Sequence, residues 1–224
     1  MSEQIKIFNT QIESLAAEPD ELSDDMFASE MPIQHTHEFL SDEDKGIYIG
    51  LWDTTSMREV AGAYPMEEFM VVLEGKADIA LQSGSNAGKV RQVHTDEGFV
   101  IAHGTDCQWQ QQGYLKKLFV IVENSELCPV NSDVEDIRIF GPEHSDEPYL
   151  NGAKSFVVYP WSVFTQDKDK LPEASLAVVY CQHGRGQYQT DTCEEKQVML
   201  IENFESAKFA STPQSSGFVV LIIE

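Results

Sequence analysis

The sequence is poor in positive charge. It carries 15 Lys and Arg against 38 Asp and Glu, which gives a formal net charge of −23 over 224 residues. Nucleic-acid binding depends on clustered Lys and Arg that displace counterions from phosphates, and anionic bilayer surfaces attract the same residues. We therefore expect neither nucleic acid nor membrane as a partner, and the negative surface opposes a polyanionic ligand as well.

The chain also lacks long apolar runs and paired cysteines. No stretch of about 18 apolar residues could span a bilayer, and the N-terminal residues have neither the basic nor the apolar region of a secretion signal. The four cysteines contain no CxxC pair, so the sequence indicates neither a disulfide framework nor a structural zinc site. These absences predict a cytoplasmic protein.

What the sequence does contain is a series of short apolar runs. Hydrophobic residues make up 42% of the chain and aromatic residues 10%, which is enough for a core. The runs are rich in β-branched and aromatic residues and are separated by Gly, Asn, Asp and Ser. This spacing is typical of an antiparallel sandwich or barrel, so we predict an all-β fold. The runs lie at residues 47–52, 69–73, 77–81, 90–94, 99–102, 118–123, 137–140, 155–159, 176–181, 187–190, 198–202 and 218–223.

Composition divides the chain into four segments. Residues 1–30 are acidic, and residues 5–17 within them fit one short helix followed by a solvated connection. Residues 31–124 form the first β-rich half. A connection rich in proline and acidic residues follows at 125–154, and residues 155–224 form a second β-rich half.

The two halves match weakly when the chain is laid against itself. The run at 47–52 lies over 176–181 at an offset of 129 residues, and 67–75 lies over 195–203 at an offset of 128. The run at 118–123 resembles 218–223. This alignment predicts that the second half is a truncated copy of the first, which lacks the middle hairpins and carries no site. Chance similarity between two strand-rich halves is the alternative.

Two glycine-bounded segments stand out in the first half. In residues 62–75, Glu68 stands seven positions before Gly75, and in residues 96–109, Gly104 is the turn glycine. These two segments resemble the paired motifs of the cupin superfamily, whose members are small jelly-roll barrels. Together with residues 50–53 and 116–121, these segments resemble the ureidoglycine-aminohydrolase-like cupins. The resemblance implies a cupin barrel with a second, truncated cupin-like half, a degenerate bicupin. It covers residues 45–124 and reaches the rest only through the repeat.

The metal ligands implied by the resemblance are mostly missing. Metal-binding cupins carry a His-x-His before the Glu and a further His after the second glycine. Here the first two positions fall on Gly62 and Tyr64, or on Ala61 and Ala63 if the spacing is one residue longer, and the last falls on Cys107. Only Glu68 remains. A set of Glu68, Tyr64 and Cys107 suits Mn or Fe poorly, although a thiolate could hold zinc. We expect no cofactor, with a divalent metal as the alternative.

Strand alternation predicts a ligand pocket. If Glu68 points inward, Met70 shares its face, Tyr64 belongs with them, and Cys107 and Trp109 share a face of their own strand. Trp52 or Tyr48 could join from a neighbouring strand. The predicted pocket residues are therefore Tyr64, Glu68, Met70, Cys107, Trp109 and Trp52. The alternative is that Glu68 is a solvated strand residue.

Three functions follow from this pattern. The first is binding of a small polar metabolite without the usual His-ligated metal. The second is a metal-dependent hydrolase that resembles ureidoglycine aminohydrolase, and the third is a structural or assembly barrel without a ligand, which a cavity filled by Met70, Trp109 and Phe99 would favour. The only His-x-His in the sequence, formed by His35 and His37, is expected on a surface strand or loop. We expect either a monomer with pseudo-twofold halves or a homodimer.

Overall fold

The polypeptide folds into two compact units, one of residues 13–142 and one of residues 1–12 together with 143–224. We call them the first unit and the second unit. The structure is a computed structural model that describes residues 4–16, 18–131, 134–144, 146–167 and 171–224. Within these residues, no helix has the length and apolar character needed to cross a bilayer.

Nearly all of the regular structure is β-strand. The strands of the described residues, with the single α-helix α1, are β1 (Ile5–Asn9), β2 (Gln34–Asp42), β3 (Ile47–Thr54), β4 (Met57–Arg58), β5 (Gly62–Ala63), β6 (Glu67–Glu74), β7 (Lys76–Leu81), β8 (Val90–His94), β9 (Gly98–Ile101), β10 (Asp106–Gln111), β11 (Leu115–Val122), β12 (Arg138–Phe140), β13 (Tyr149–Leu150), β14 (Phe156–Pro160), α1 (Trp161–Asp167), β15 (Ala174–His183), β16 (Arg185–Tyr188), β17 (Asp191–Glu194), β18 (Gln197–Phe204), β19 (Phe209–Ser211) and β20 (Ser216–Ile222).

Every apolar run that the sequence predicts as a strand overlaps an observed strand, which confirms the all-β fold. The short helix expected at residues 5–17 is wrong where the structure describes it, because residues 5–9 form β1 instead. Ala17 lies outside the described residues. Strand β1 pairs antiparallel with β18, Ile5 opposite Ile201 and Asn9 opposite Gln197. Tertiary pairing with a sheet edge therefore overrides the local helical pattern.

The first unit is built from two facing sheets. Its large sheet has the strand order β12-β9-β6-β11-β3-β2, and its small sheet contains β4-β10-β7-β8, with β5 also paired to β10. Side chains alternate between the faces of each strand, so Met70 and Val72 of β6 enter the core between the sheets. Ile79 of β7 and Trp109 of β10 meet them from the small sheet.

The second unit repeats this strand order. Its large sheet is β1-β18-β15-β20-β14-β13, and its small sheet is β19-β16-β17. If β14 is matched to β3, β15 to β6, β18 to β9 and β20 to β11, the central strands of the two large sheets occur in the same order. The small sheet of the second unit has three strands, against five in the first unit.

The middle hairpins, however, are present in the second unit. Strands β16 and β17 correspond to β7 and β8, and the two glycines that precede β7 and β16 mark the equivalence. Gly75 (φ +84°) and Gly184 (φ +78°) both adopt the left-handed conformation that glycine tolerates best. They are 109 residues apart. The offset of 128 to 129 residues is therefore wrong for the first two blocks, and only the match of 118–123 to 218–223 pairs equivalent strands.

Helix α1 fills the interior of the second unit. It follows β14 at once and inserts Trp161 and Phe164 into the core, where their exposed fractions are 2% and 0%. Both rings lie 5.4 Å from the ring of Phe209, and the Trp161 ring lies so close to Gly186 that a Cβ there would approach it to 2.7 Å. Aromatic side chains thus occupy the space between the sheets of this unit.

Candidate functional site

The first unit contains a cavity of about 310 Å³ against the inner face of its large sheet. Alternation explains which side chains reach it, because every second residue of a strand faces the same side. On β3 these are Tyr48 and Trp52, and on β11 they are Lys117, Phe119 and Ile121. The remaining lining residues are Gln34, Thr36, Glu38, Glu59, Tyr64, Met66, Glu68 and Glu123.

A buried ion pair lies at the base of this cavity. The Nζ of Lys117 lies 2.8 Å from Oε1 of Glu68, and the exposed fractions of the two side chains are 9% and 2%. The hydroxyl of Tyr64 donates to the other carboxylate oxygen, Oε2. Both oxygens of Glu68 therefore have partners, as a buried carboxylate requires.

Two indole rings enclose the Lys117 ammonium. Its Nζ lies 4.7 Å from the ring centroid of Trp52 and 4.9 Å from that of Trp109. Trp52 is directly opposite Lys117 in the β3–β11 register, whereas Trp109 comes from the small sheet. The Sδ of Met70 lies 3.2 Å from the same nitrogen. Cation–π attraction offsets part of the desolvation cost of this charge.

Glu59 lies in the cavity with no side-chain hydrogen-bond partner among the described residues. Its backbone is fixed from the small sheet, since its N–H donates to the Trp109 carbonyl at 2.9 Å and its carbonyl accepts from Gln108 Nε2 at 2.8 Å. Burial raises the pKa of Glu59 to about 7. The positive charge of Lys117 opposes this rise in pKa and the negative charge of Glu68 adds to it.

The neighbouring phenol and thiol stay neutral. Burial raises the pKa of Tyr64 well above its usual value, and the Glu68 carboxylate raises it further. Burial also raises the pKa of the Cys107 thiol to about 12, with a smaller contribution from Glu59. Both groups are thus protonated at neutral pH, and Tyr64 acts as a hydrogen-bond donor.

These residues fit a divalent metal poorly. Metal binding by Glu68, Tyr64 and Cys107 would need a free carboxylate, and thiolate and phenolate forms of the other two. Glu68 is instead held by Tyr64 and by an ammonium at 2.8 Å, whose charge opposes that of a metal cation. No group of three or more His, Cys, Asp and Glu suited to a metal occurs among the described residues.

The structure brings three of the predicted pocket residues to the cavity and places the others beneath it. Trp52, Tyr64 and Glu68 line the cavity. Met70, Cys107 and Trp109 lie in the same interior but belong to the packed core, with exposed fractions of 0%, 5% and 3%.

The histidines of the only His-x-His lie on strand β2. His35 and His37 alternate with Gln34, Thr36 and Glu38, which line the cavity, so the histidines face the other side of the strand. His35 contacts Asp53 through its Nδ1 at 2.8 Å. Neither histidine lines the cavity.

The sequence reasoning missed Lys117 and Glu59. A signal for Lys117 existed, because it has the same parity as Phe119 and Ile121, whereas the adjacent Lys116 has the opposite parity. Glu59 follows the two-residue strand β4, where no periodicity could assign it a direction.

Comparison with solved structures gives the fold. The chain is similar to a protein of unknown function of the DUF861 family from Pseudomonas syringae (15% identity, TM-score 0.56, covering 82% of this chain and 85% of that chain). It is also similar to the DUF861 protein Ylba from E. coli (10%, 0.58, 97% and 90%) and to a putative dioxygenase from Nostoc punctiforme (9%, 0.54, 99% and 82%). At these identities the likeness shows the fold alone, which is of the cupin type. No family model matches the chain, and no curated protein matches it significantly.

Proposed function

We propose that the protein binds a small polar ligand in the cavity of its first unit, without a divalent metal. The observation that carries this proposal is the Lys117–Glu68 ion pair, which lies at the base of an open cavity with aromatic walls. A lysine here gives the site a fixed positive charge next to the one carboxylate that the cupin resemblance implies as a metal ligand. The cavity thus combines apolar walls with a few converging polar groups, as small-molecule sites do.

The volume of the cavity supports a metabolite rather than a larger ligand. At about 310 Å³ it lies at the lower end of the range of about 300–1,000 Å³ that is common for small-molecule sites. Met70, Trp109 and Phe99 do pack in the interior, which is the arrangement expected of a purely structural barrel. The cavity remains open beside them, however, so the packed core leaves room for a ligand.

The metal-dependent hydrolase is the less well supported alternative. It would require Lys117 to release Glu68, and this would leave a buried ammonium without its partner. Breaking such a pair is strongly unfavourable.

A thermal-shift screen on chelator-treated protein tests the proposal. We expect at least one compound among amino acids, amides, amines and polyols to raise Tm by roughly 5–10 °C at about 100 times its Kd. Ile121→Trp should abolish this shift, because the larger side chain fills the cavity. Val90→Trp is the matched control, since Val90 is 48% exposed on β8 and does not line the cavity.

Two kinds of stabilisation, and the absence of any, would contradict the proposal. One is a stabilising compound that acts equally on Ile121→Trp, which would place its site elsewhere. The other is stabilisation that chelation removes and a stoichiometric divalent metal restores, shown by elemental analysis, which would revive the hydrolase. A screen in which no compound shifts Tm counts against ligand binding as such.

A further inference from the structure

Negative charge dominates the wall of the cavity. Its lining contains four carboxylates and one ammonium. The ammonium of Lys117 is already balanced by Glu68, and the residue is only 7% exposed. Three carboxylates remain uncompensated by any lining cation, at Glu38, Glu59 and Glu123. An anionic ligand would meet repulsion here, whereas a cation would be attracted.

The same wall already holds a cation. The Lys117 ammonium lies against the ring of Trp52 at 4.7 Å, so the geometry of this wall accommodates a positive group over an indole. Trp52 is partly exposed and also lines the cavity, as does Tyr48. Aromatic faces therefore remain for a second positive group that enters from solvent.

Among the described residues, the Glu59 side chain has no hydrogen-bond or ion-pair partner. Glu68 is engaged by Tyr64 and Lys117, and Glu38 and Glu123 are solvent-exposed. Glu59 lies deeper than these two, and no described side chain donates a hydrogen bond to it. The ionisable groups that face this part of the cavity are Lys117 on β11, Glu68 on β6, Tyr64 before β6, Cys107 on β10, Tyr48 on β3, Glu38 on β2 and Glu123 after β11.

We propose that the ligand is a small organic cation with an amidinium or alkylammonium group, which lies against Trp52 and is neutralised by the carboxylate of Glu59. This inference rests on the proposed function and narrows it to one ligand class. The ligand supplies to Glu59 a hydrogen-bonded positive partner, which none of the described side chains supplies. The rest of the ligand faces the polar side chains of Gln34 and Thr36.

Cation binding is then linked to proton release from Glu59. Because its pKa is about 7 in the free protein, a proton balances much of its charge at neutral pH. A bound cation replaces this proton and favours the ionised form. Affinity for a cation should therefore rise with pH between 6 and 8. If only the ionised form binds, the gain is about tenfold over this interval, in proportion to the ionised fraction.

Acetamidinium, acetamide and acetate form a suitable set of probes, because they share one shape and carry charges of +1, 0 and −1. Binding is followed by NMR of the indole N–H of Trp52 in 0.15 M NaCl, with the indole of Trp161 in the second unit as an internal reference. We expect saturable shifts of Trp52 with acetamidinium, about tenfold tighter at pH 8 than at pH 6. Acetamide should bind more weakly, and acetate should leave Trp52 unchanged.

Two substitutions test whether Glu59 causes the pH dependence of acetamidinium binding. Glu59→Gln should weaken acetamidinium binding and remove its pH dependence, whereas Glu202→Gln, an exposed position in the second unit, should behave as wild type. If acetamide or acetate binds as tightly as acetamidinium, or if Glu59→Gln keeps the pH dependence, the inference is wrong while the cavity remains a ligand site. If no probe moves Trp52 at either pH, the inference is overturned, and the thermal-shift screen decides separately whether the cavity binds another polar ligand.

Discussion

At the scale of single residues, the Lys117–Glu68 ion pair determines which substitutions in the site leave the protein stable. Both side chains are almost fully buried, and their charges are compensated by each other, by the Tyr64 hydroxyl and by two indoles. Removing one partner leaves an uncompensated charge in a region of low polarity. Removing both partners leaves no uncompensated charge, so the effects of the two substitutions on stability are strongly coupled.

A double-mutant cycle measures this coupling. We expect Glu68→Leu and Lys117→Met each to lower the free energy of unfolding by about 3–5 kcal/mol. The double variant should recover most of the loss, because neither charge remains. Urea unfolding followed by tryptophan fluorescence gives the values, since Trp52 and Trp109 lie against the pair.

The exposed pair of Lys76 and Asp78 provides the control. Its atoms are 3.2 Å apart and the lysine side chain is 41% exposed, so the corresponding cycle should give a coupling below about 1 kcal/mol. Additive losses at Glu68 and Lys117 would show that the two charges are independent and would remove the main support for the proposed site.

Strand parity accounts for what the sequence could and could not predict about the site. With Glu68 pointing inward, as the cupin resemblance implies, alternation predicts Trp52 and Tyr64 at the same pocket. All three residues line the cavity. Alternation predicts the side of the strand to which a side chain points, but not how deep the side chain lies. It therefore also predicts Met70 and Trp109 at the pocket, although both lie in the core beneath it. Lys117 carried the right parity, but a lysine on a strand is usually solvated.

At the scale of the secondary-structure elements, β1 covers the edge of the large sheet in the second unit. It pairs with β18, which would otherwise present unpaired backbone groups. Glu202 N–H donates to the Gln4 carbonyl, and Thr10 N–H donates to the Lys196 carbonyl. Because antiparallel hydrogen-bonded pairs recur at every second residue, Lys6 has its N–H toward β18, whereas the N–H of Ile7 points away.

Proline substitutions at these two neighbours test the role of β1. Both side chains are exposed, so the variants differ mainly in the backbone N–H that is lost. Lys6→Pro should lower the free energy of unfolding of the second unit by about 1–3 kcal/mol, because it leaves a carbonyl of β18 without its donor. Ile7→Pro should cost less than Lys6→Pro, since proline is tolerated at edge strands where the N–H faces solvent.

Hydrogen exchange of the β18 amides is the second measurement for this pair. Exchange should accelerate in Lys6→Pro and stay near the wild-type rate in Ile7→Pro. Equal exchange rates in the two variants would mean that β1 contributes side-chain contacts alone.

The repeat shows why sequence comparison failed at this scale. Strand positions are predictable from alternation and turn residues, but strands of similar composition can be aligned with the wrong partner strand. The alignment set β6 against β18, although β15 is its counterpart. The hairpin glycines Gly75 and Gly184 give the correct offset between the equivalent hairpins. A left-handed turn restricts the residue type more strongly than a strand position does, because glycine tolerates positive φ best.

At the scale of the whole molecule, the two units share a strand order but differ in their interiors. Trp161 and Phe164 from α1 fill the second unit, and the first unit has the short strands β4 and β5 in the equivalent stretch between β3 and β6. The cavity therefore exists where no helix enters the barrel. Its walls carry a share of the strong negative charge of the chain.

That charge predicts opposite effects of salt on stability and on cation binding. With a net charge of −23, the folded chain repels itself, and salt screens this repulsion as the Debye length falls from about 30 Å at 0.01 M to about 8 Å at 0.15 M. Tm at pH 7.5 should thus rise with NaCl over this range, by about 2–4 °C for each kcal/mol gained. Acetamidinium affinity should fall over the same range.

The same NaCl series, measured at a pH near the isoelectric point, separates charge repulsion from general effects of salt on Tm. The sequence pI is about 4.4, so at pH 4.5 little net charge remains to be screened. The rise of Tm with salt should then disappear, because its cause is absent. An equal rise at both pH values would mean that NaCl acts through apolar surface instead, and the acidic surface would then carry no measurable repulsion.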